Sequence, residues 1–297
     1  MKRLQCLVAL LVWMALAHAG FGGTLVEFHV YLGVTNYLGD IDVELYDQDK
    51  PITVNNFIRL MKAGAFQNSF FHRCEPGFVL QGGGYFALNP FATDIIDPTF
   101  IDLGLVGNFG SITNEYGVGP VYNNAFGTIA MAKAAGNTNS ANSQFYFNLA
   151  NNTQLDGPGS NNSYVVFGHV LSGTDVLNKF NSYSIGNHVV NLTNFYGPSG
   201  IFPTLPTGTT GTNPPPYNQL AYYIVSFLTE QMSITTNGAR QISWDSASGL
   251  TNNLEYTTNL ASGWNVLANP VGNGGTISVT DTNMVDSQRF YRVHILH

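Results

Sequence analysis

The chain has 297 residues, of which 44% are apolar, 13% aromatic and only 10% charged, and its formal net charge is −7. So acidic a chain is a poor match for a phosphate backbone, which excludes nucleic-acid binding as its main function. The aromatic and branched aliphatic content is too high for a disordered chain and favours a packed protein rich in β-structure.

Residues 1–19 have the pattern of a secretory signal peptide. Lys2 and Arg3 precede an apolar run, and an Ala-His-Ala sequence ends at Ala19. A membrane anchor is the alternative, but the apolar run is short for a bilayer-spanning helix. We therefore expect a periplasmic or extracellular protein with no integral membrane segment in its mature chain. Cleavage would leave 9 basic against 18 acidic residues, a net charge of −9.

Two strands and one helix are predicted after the leader. Residues 24–32 are strand-like, and residues 40–46 alternate apolar and acidic side chains. The apolar period then becomes helical, with Thr53 as the predicted N-cap and Gly64 as the predicted end. The apolar positions of this helix follow the i, i+3, i+4, i+7 pattern: Val54, Phe57, Ile58 and Met61.

The following segment is predicted to consist of short strands and one further helix. A second helix is predicted at 174–180, and the Pro-, Gly- and Thr-rich residues 197–217 are predicted to form a loop or semi-rigid connector. The apolar residues 220–229 are expected to return the chain to the same sheet, which ends the first domain near Glu230. The short strands are separated by Gly- and Asn-rich turns: 77–80, 127–131, 144–149 and 164–170.

Residues 231–297 are predicted to form a separate small module of β-sandwich type. Strand patterns at 254–257 and 276–280 alternate with turn signals at Asn237-Gly238 and 273–275. This part weakly resembles short β modules appended to exported proteins of some environmental bacteria. Its large aromatic residues are expected to fill a small core rather than to bind a ligand: Trp244, Trp264 and Tyr291.

A set of linked motifs carries the most specific information in the sequence. Residues 70–84 read Phe-Phe-His-Arg-Cys-Glu-Pro-Gly-Phe-Val-Leu-Gln-Gly-Gly-Gly, and residues 127–132 read Gly-Thr-Ile-Ala-Met-Ala. Asn-Ser-Gln-Phe-Tyr-Phe follows at 142–147, and then Leu-Asp-Gly and Tyr-Val-Val-Phe-Gly-His-Val at 155–157 and 164–170. With these motifs, residues 24–230 resemble the cyclophilin family of peptidyl-prolyl cis-trans isomerases.

The resemblance implies a mainly β fold, a closed eight-stranded antiparallel barrel with two capping helices. It also implies that Arg73 is catalytic, although a strand arginine taken alone is more often a surface or salt-bridging residue. Gln81 matches the glutamine that binds the substrate backbone. The remaining substrate-binding positions implied by the family comprise the proline pocket, an edge segment and a polar groove position: Phe78, Val79, Tyr146, Leu155, Tyr164, Ala132, Lys133, Ala134 and Gln144.

The sequence departs from the common family pattern at three pocket positions. Gln154 stands where many eukaryotic members have Trp, Tyr164 where they have His, and Val79 where many members have Met. The first two differences resemble the bacterial branch and imply weak cyclosporin binding. An apolar insertion at 85–111 is expected either to cover a barrel edge or to shape the groove.

Prolyl isomerisation needs no nucleophile, metal or cofactor. The barrier of about 18–20 kcal/mol comes from the partial double bond of the amide, so a catalyst has to weaken that resonance and hold the proline ring. His72 is accordingly predicted to be a packed ring rather than a base, and Cys74 a buried thiol. Because Cys6 leaves with the leader, no intramolecular disulfide is expected. The chain's histidines have no spacing typical of a metal site.

Three functions are weighed on these grounds. The leading hypothesis is an exported isomerase that accelerates X-Pro rotation in proline-containing polypeptides and so assists their folding. The second hypothesis is a cyclophilin-fold peptide-binding module with weak or no catalysis, and the third is a carbohydrate- or envelope-binding β protein. No oligomer is implied.

Overall fold

The computed structural model describes most of the chain beyond the leader. The predicted leader, the predicted domain boundary at Glu230 and the Asn237-Gly238 turn lie outside the described residues. The described ranges are 23–96, 103–159, 161–193, 202–228, 233–236, 239–246, 251–259, 263–273, 275–283, 285–286 and 288–296.

The two predicted helices are present: α1 spans Pro51–Lys62 and α2 spans Thr174–Asn181. The strands of the first part are β1 Leu25–Leu32, β2 Tyr37–Leu45, β3 Arg73–Glu75, β4 Val79–Gly82, β5 Tyr85–Ala87, β6 Leu103–Leu105, β7 Thr128–Met131, β8 Phe145–Asn148, β9 Val166–Ser172, β10 Ser184–Val190, β11 Leu205–Gly211 and β12 Ala221–Phe227. The C-terminal strands are β13 Ser233–Thr236, β14 Arg240–Asp245, β15 Thr251–Thr257, β16 Asn265–Ala268, β17 Thr276–Asp281 and β18 Phe290–Leu296.

Eight strands form one antiparallel sheet in the order β12-β1-β2-β9-β7-β8-β4-β3. The described part of the chain is therefore mainly β with two α-helices, and this part of the predicted fold class is confirmed. Alternate residues of each strand face a large apolar cluster, since successive side chains point to opposite faces of a strand. Phe28 is at its centre, with ring centroids 5.6 Å from Phe145 and 5.2 Å from Phe147.

The start of α1 differs from the prediction. The helix begins at Pro51, with Lys50 in the N-cap position, and Thr53 lies inside the first turn. No side chain next to the helix caps it. The carboxylate of Glu115 accepts the N–H groups of Ile52 and Thr53 at 3.0 and 2.7 Å, so the cap comes from a distant loop. The predicted end of the helix agrees better with the structure. α1 ends at Lys62, and Gly64 follows two residues later with a φ of +68°.

The predicted connector at 197–217 is wrong over residues 205–211, and its residues 197–201 lie outside the described part of the chain. Residues 205–211 form β11, which pairs with β10 and contains three β-branched threonines, Thr207, Thr209 and Thr210. Leu205 is buried in a second apolar cluster with Val190 and Phe202, which explains why a Pro- and Gly-rich sequence is held extended. The described part of the 85–111 insertion contributes β5 and β6 and packs Ala87 and Ile96 against the same cluster.

The C-terminal strands form two three-stranded sheets, β13-β14-β17 and β16-β15-β18. Trp244 is fully buried between residues of both sheets, and its indole N–H donates to Asn252 at 3.1 Å. Tyr291 packs against the same cluster. Trp264 differs from the prediction, since it lies outside this cluster with the Arg292 guanidinium 4.4 Å from its ring centroid.

Candidate active site

Strand register brings the predicted site residues into one row. Arg73 on β3 pairs with Gln81 on β4, and Gln81 pairs with Tyr146 on β8. Directly paired residues have side chains on the same face of a sheet. Phe145 and Phe147 point into the core cluster, so Tyr146 between them points to the opposite face. The candidate site therefore lies on the face of the sheet that is turned away from the core.

A cavity of about 170 Å³ opens on this face. It receives side chains from β3, β4 and β8 and from the segments that follow β7 and precede β9. Nine of the eleven residues predicted from the sequence line it: Arg73, Phe78, Val79, Gln81, Ala132, Lys133, Tyr146, Leu155 and Tyr164. Gln144 and Ala134 do not line it.

Arg73 holds its guanidinium at the polar side of the cavity. Its Nη1 is 3.5 Å from Gln81 Oε1, and its Nε is 3.5 Å from a carboxylate oxygen of Glu75. The guanidinium carbon lies 5.6 Å from the centroid of the Phe78 ring. About a third of the Arg73 side chain, 34%, is exposed. The group is thus restrained from two sides and still open to an incoming peptide.

Gln144 acts on the cavity through Gln81. The Gln81 amide donates to Gln144 Oε1 at 2.7 Å, and this contact leaves Gln81 Oε1 directed at Arg73. Gln144 is also hydrogen-bonded to His72, which is buried next to the motif arginine. Gly83 permits this arrangement, because its φ is +75° and a Cβ there would lie 2.3 Å from the Ser143 carbonyl oxygen.

His72 is held as a neutral ring. Burial and the neighbouring charge of Arg73 lower its pKa to about 4. The ring packs edge-on against Tyr85, with centroids 5.1 Å apart. A buried neutral imidazole packs against its neighbours and does not transfer protons, in agreement with the prediction from the sequence.

The buried His72 predicts a dependence of stability on pH. Between its ordinary pKa of 6.5 and the folded value of about 4, the unfolded chain binds a proton that the folded chain does not. Its contribution is therefore complete above pH 6.5 and is lost as the pH falls towards 4. From pH 7 to pH 5, urea unfolding of the protein should lose about 2 kcal/mol more than that of His72→Gln. Equal losses in the two proteins would contradict this.

A buried amide network that the sequence analysis missed supports the floor of the cavity. The Tyr146 hydroxyl donates to Asn124 Oδ1 at 2.7 Å, and the Asn124 amide donates to Asp156 at 2.9 Å. Asn148 donates to the same Asn124 oxygen at 3.2 Å. Asn124 is 1% exposed. The sequence could have pointed to Asn148, because an amide inside an apolar strand is unusual. Asn124 lies in a polar loop, where the sequence does not distinguish it from its neighbours.

Removal of the Tyr146 hydroxyl tests this network. Tyr146→Phe keeps the ring that lines the cavity and leaves Asn124 Oδ1 with Asn148 as its donor. We expect a loss of about 1 kcal/mol in the free energy of unfolding, measured in urea, with isomerase activity kept within a few-fold. A loss of activity as large as that expected for Arg73→Ala would show that the Tyr146 hydroxyl itself acts in the reaction.

The segment after β7 forms one wall of the cavity. Its N–H groups are engaged in the protein, since Ala132 N donates to the Gln144 carbonyl oxygen at 2.9 Å and Ala134 N to Ser140 Oγ at 2.8 Å. The Lys133 ammonium lies 4.3 Å from the centroid of the Tyr164 ring, and burial lowers its pKa. This wall therefore offers carbonyl oxygens and an aromatic surface with a cation over it.

Cys74 lies beside the site but faces the core. The thiol is fully buried and its Sγ is 3.6 Å from the Phe180 carbonyl oxygen. Burial, with the nearby Glu75 carboxylate, raises its pKa to about 12. The prediction of a buried thiol is confirmed.

The arrangement of the motif residues agrees with a comparison to known families. The family described as cyclophilin type peptidyl-prolyl cis-trans isomerase/CLD matches residues 29–195, which is more than half of the chain. The chain belongs to the cyclophilin-type peptidyl-prolyl cis-trans isomerases. It is thereby an enzyme of the isomerase class, as predicted. The sheet extends beyond the matched residues, because β12 pairs with β1 along its whole length.

Relatives with the same enzyme name support this membership. A peptidyl-prolyl cis-trans isomerase of Acinetobacter baylyi is 35% identical over 163 residues, which cover 53% of this chain and 77% of that protein. Peptidyl-prolyl cis-trans isomerase A of Dickeya dadantii is 31% identical over 186 residues, 63% of this chain and 87% of that protein. A crystal structure of a Cryptosporidium parvum cyclophilin has 20% identity and a TM-score of 0.43, and covers 69% of this chain and 99% of that chain. The sequence matches alone carry the family membership.

Proposed function

We propose that the 170 Å³ cavity binds the proline ring of an X-Pro peptide and that Arg73 catalyses rotation about the preceding amide bond. The observation that carries this is the convergence of nine motif residues, from five separate segments, on one cavity. An ordinary surface arginine would not be expected to share a cavity with an apolar pocket and the Gln81 amide.

The catalytic step needs no covalent bond between the substrate and the protein. A guanidinium N–H that donates to the prolyl nitrogen favours the pyramidal nitrogen of the twisted amide and removes its conjugation with the carbonyl. Arg73 is suited to this because Gln81 and Glu75 restrain its guanidinium before substrate arrives. Such a donor costs little reorganisation when the amide twists.

The rest of the cavity would hold the substrate while the bond rotates. The apolar side chains of Phe78, Val79, Tyr146 and Leu155 form a wall suited to a proline ring. Gln81 would bind the peptide backbone. Because the N–H groups of Ala132 and Ala134 are already engaged, an extended substrate would donate its own backbone N–H groups to carbonyl oxygens of this edge.

Export and a folding role are further parts of the proposal. The Lys-Arg start, the apolar run and the Ala-His-Ala sequence before Gly20 support cleavage and export to the periplasm or the medium. In that compartment, unfolded polypeptides with slowly exchanging X-Pro bonds are the proposed substrates. No helix among the described residues has the length and apolarity needed to cross a membrane.

We also propose two finer features of the fold. The N–H of Phe71 donates to the Ala221 carbonyl oxygen at 2.8 Å and that of Tyr223 to the Ser69 carbonyl oxygen at 3.3 Å. These bonds next to β3 and within β12 support closure of the eight-stranded sheet into a barrel. The shared cluster around Trp244 supports a β-sandwich in the C-terminal module.

An exchange assay on an Ala-Pro peptide tests the function. NMR line shapes or protease coupling would measure the isomerisation rate with the full chain present. A rate well above the spontaneous one supports the proposal. A spontaneous rate together with saturable binding of the same peptide would favour the alternative, a peptide-binding module with weak or no catalysis.

A further inference from the structure

A cluster of ionisable side chains lies on β1 and β2, away from the cavity. Glu27 pairs with Asp42 and His29 pairs with Asp40 across the two strands. One ligand atom from each of Glu27, His29 and Asp40 lies within 4.8 Å of the others. His29 Nδ1 is 2.5 Å from Asp40 Oδ1, and its Nε2 is 3.0 Å from Glu27 Oε1. Sequence spacing gave no sign of this cluster, because β pairing brings the two strands together.

The neighbouring Asp42 supplies an independent observation. Asp42 is only 4% exposed, and in the described part of the chain its buried Oδ1 has no hydrogen-bond donor unless the carboxyl group of Glu27 is protonated. Its other oxygen accepts the hydroxyl hydrogen of Ser172. Glu27 is the cross-strand partner of Asp42 and close enough for the two carboxyl groups to form a direct contact. A buried carboxylate oxygen without a donor is costly unless a cation or a proton lies beside it.

The charge of the cluster is unbalanced. Three carboxyl groups surround one imidazole, and in the described part of the chain the ion pairs of these carboxyl groups involve His29 and no lysine or arginine. Full ionisation would leave an excess of negative charge even with a protonated imidazole. A divalent cation would compensate that excess and give the Asp42 oxygen a partner.

We propose that His29, through Nε2, and Glu27, with Asp42 behind them and Asp40 orienting the imidazole from Nδ1, bind a divalent transition-metal ion of the zinc class. One imidazole with carboxylates is a ligand set typical of Zn²⁺, whereas Ca²⁺ and Mg²⁺ prefer oxygen alone. A carboxylate at one imidazole nitrogen orients the ring so that the other nitrogen can bind the metal, which the contacts of His29 with Asp40 and Glu27 permit. The bound ion would link side chains of β1 to side chains of β2.

Metal titration of the untagged full chain tests the proposal. Isothermal titration with Zn²⁺ should give saturable binding of a single equivalent, and Zn²⁺ should raise the unfolding temperature of the protein. His29→Gln should weaken Zn²⁺ binding by about tenfold or more and abolish the shift in unfolding temperature. Asp40→Asn provides a second variant with the same expectation.

The matched control is His169→Gln. His169 lies in the same sheet and forms a His–carboxylate contact with Glu44, 3.8 Å away. This variant should bind Zn²⁺ like the unmodified protein. The proposal is overturned if no saturable binding occurs, which leaves a proton between Glu27 and Asp42 as the occupant. It is also overturned if Ca²⁺ binds as tightly as Zn²⁺, or if Zn²⁺ binding survives in both cluster variants.

Discussion

Replacement of Arg73 by alanine is expected to lower kcat/KM for an Ala-Pro peptide by a factor of about 10² to 10³. The variant loses the N–H donor that stabilises the pyramidal prolyl nitrogen, and removal of a single preorganised donor has effects of this size in other enzymes. The apolar wall of the cavity remains, so peptide binding should weaken much less than the rate. The rate is measured by NMR exchange and the fold is checked by circular dichroism.

Two further variants sharpen this result. Arg73→Lys keeps the charge but loses the planar fork, so it should recover only a small part of the rate. Arg59→Ala removes an exposed arginine of α1, which stacks on Phe109, and should leave the rate unchanged. An Arg73→Ala protein that is folded and as fast as the unmodified enzyme would refute the role of the guanidinium.

Replacement of Glu115 by alanine is expected to cause the largest loss of stability, about 3 kcal/mol in the free energy of unfolding. Glu115 is 1% exposed and accepts hydrogen bonds from Ile52 N, Thr53 N and the Thr53 hydroxyl. Alanine would leave these buried donors without partners. It would also remove the negative charge near Lys50, whose ammonium donates to the carbonyl oxygens of Glu115, Val118 and Pro120.

Urea titration at pH 7 measures the effect. Glu115→Gln keeps an acceptor oxygen but not the charge, so its loss should be smaller than that of Glu115→Ala. Asp175→Ala is the matched control, because Asp175 also lies in a first helical turn, that of α2, but its side chain is 76% exposed. It should change stability by less than about 0.5 kcal/mol. Equal effects of Glu115→Ala and Asp175→Ala would show that the distant cap does not stabilise α1.

Local pattern predicted the elements where period and composition agree. The alternation in 40–46 coincides with β2 up to Leu45, where the strand ends, and the helical spacing from Val54 to Met61 lies within α1. Local pattern failed at 205–211, where Pro and Gly suggested a connector. The burial of Leu205 against β10 and Phe202 holds that segment as a strand, and such contacts are invisible in a window of a few residues.

The sequence by itself determined the family, the enzyme class and the candidate site residues, because the motif around Arg73 is contiguous and specific to one fold. Only the tertiary structure determined the relative positions and contacts of these residues. Strand register aligns Arg73, Gln81 and Tyr146 in one row, and distant segments supply the supports at Asn124 and Glu115. The same pairing assembles the cluster around His29. Contacts between residues far apart in the chain arise from packing and register, and a short stretch of sequence predicts neither.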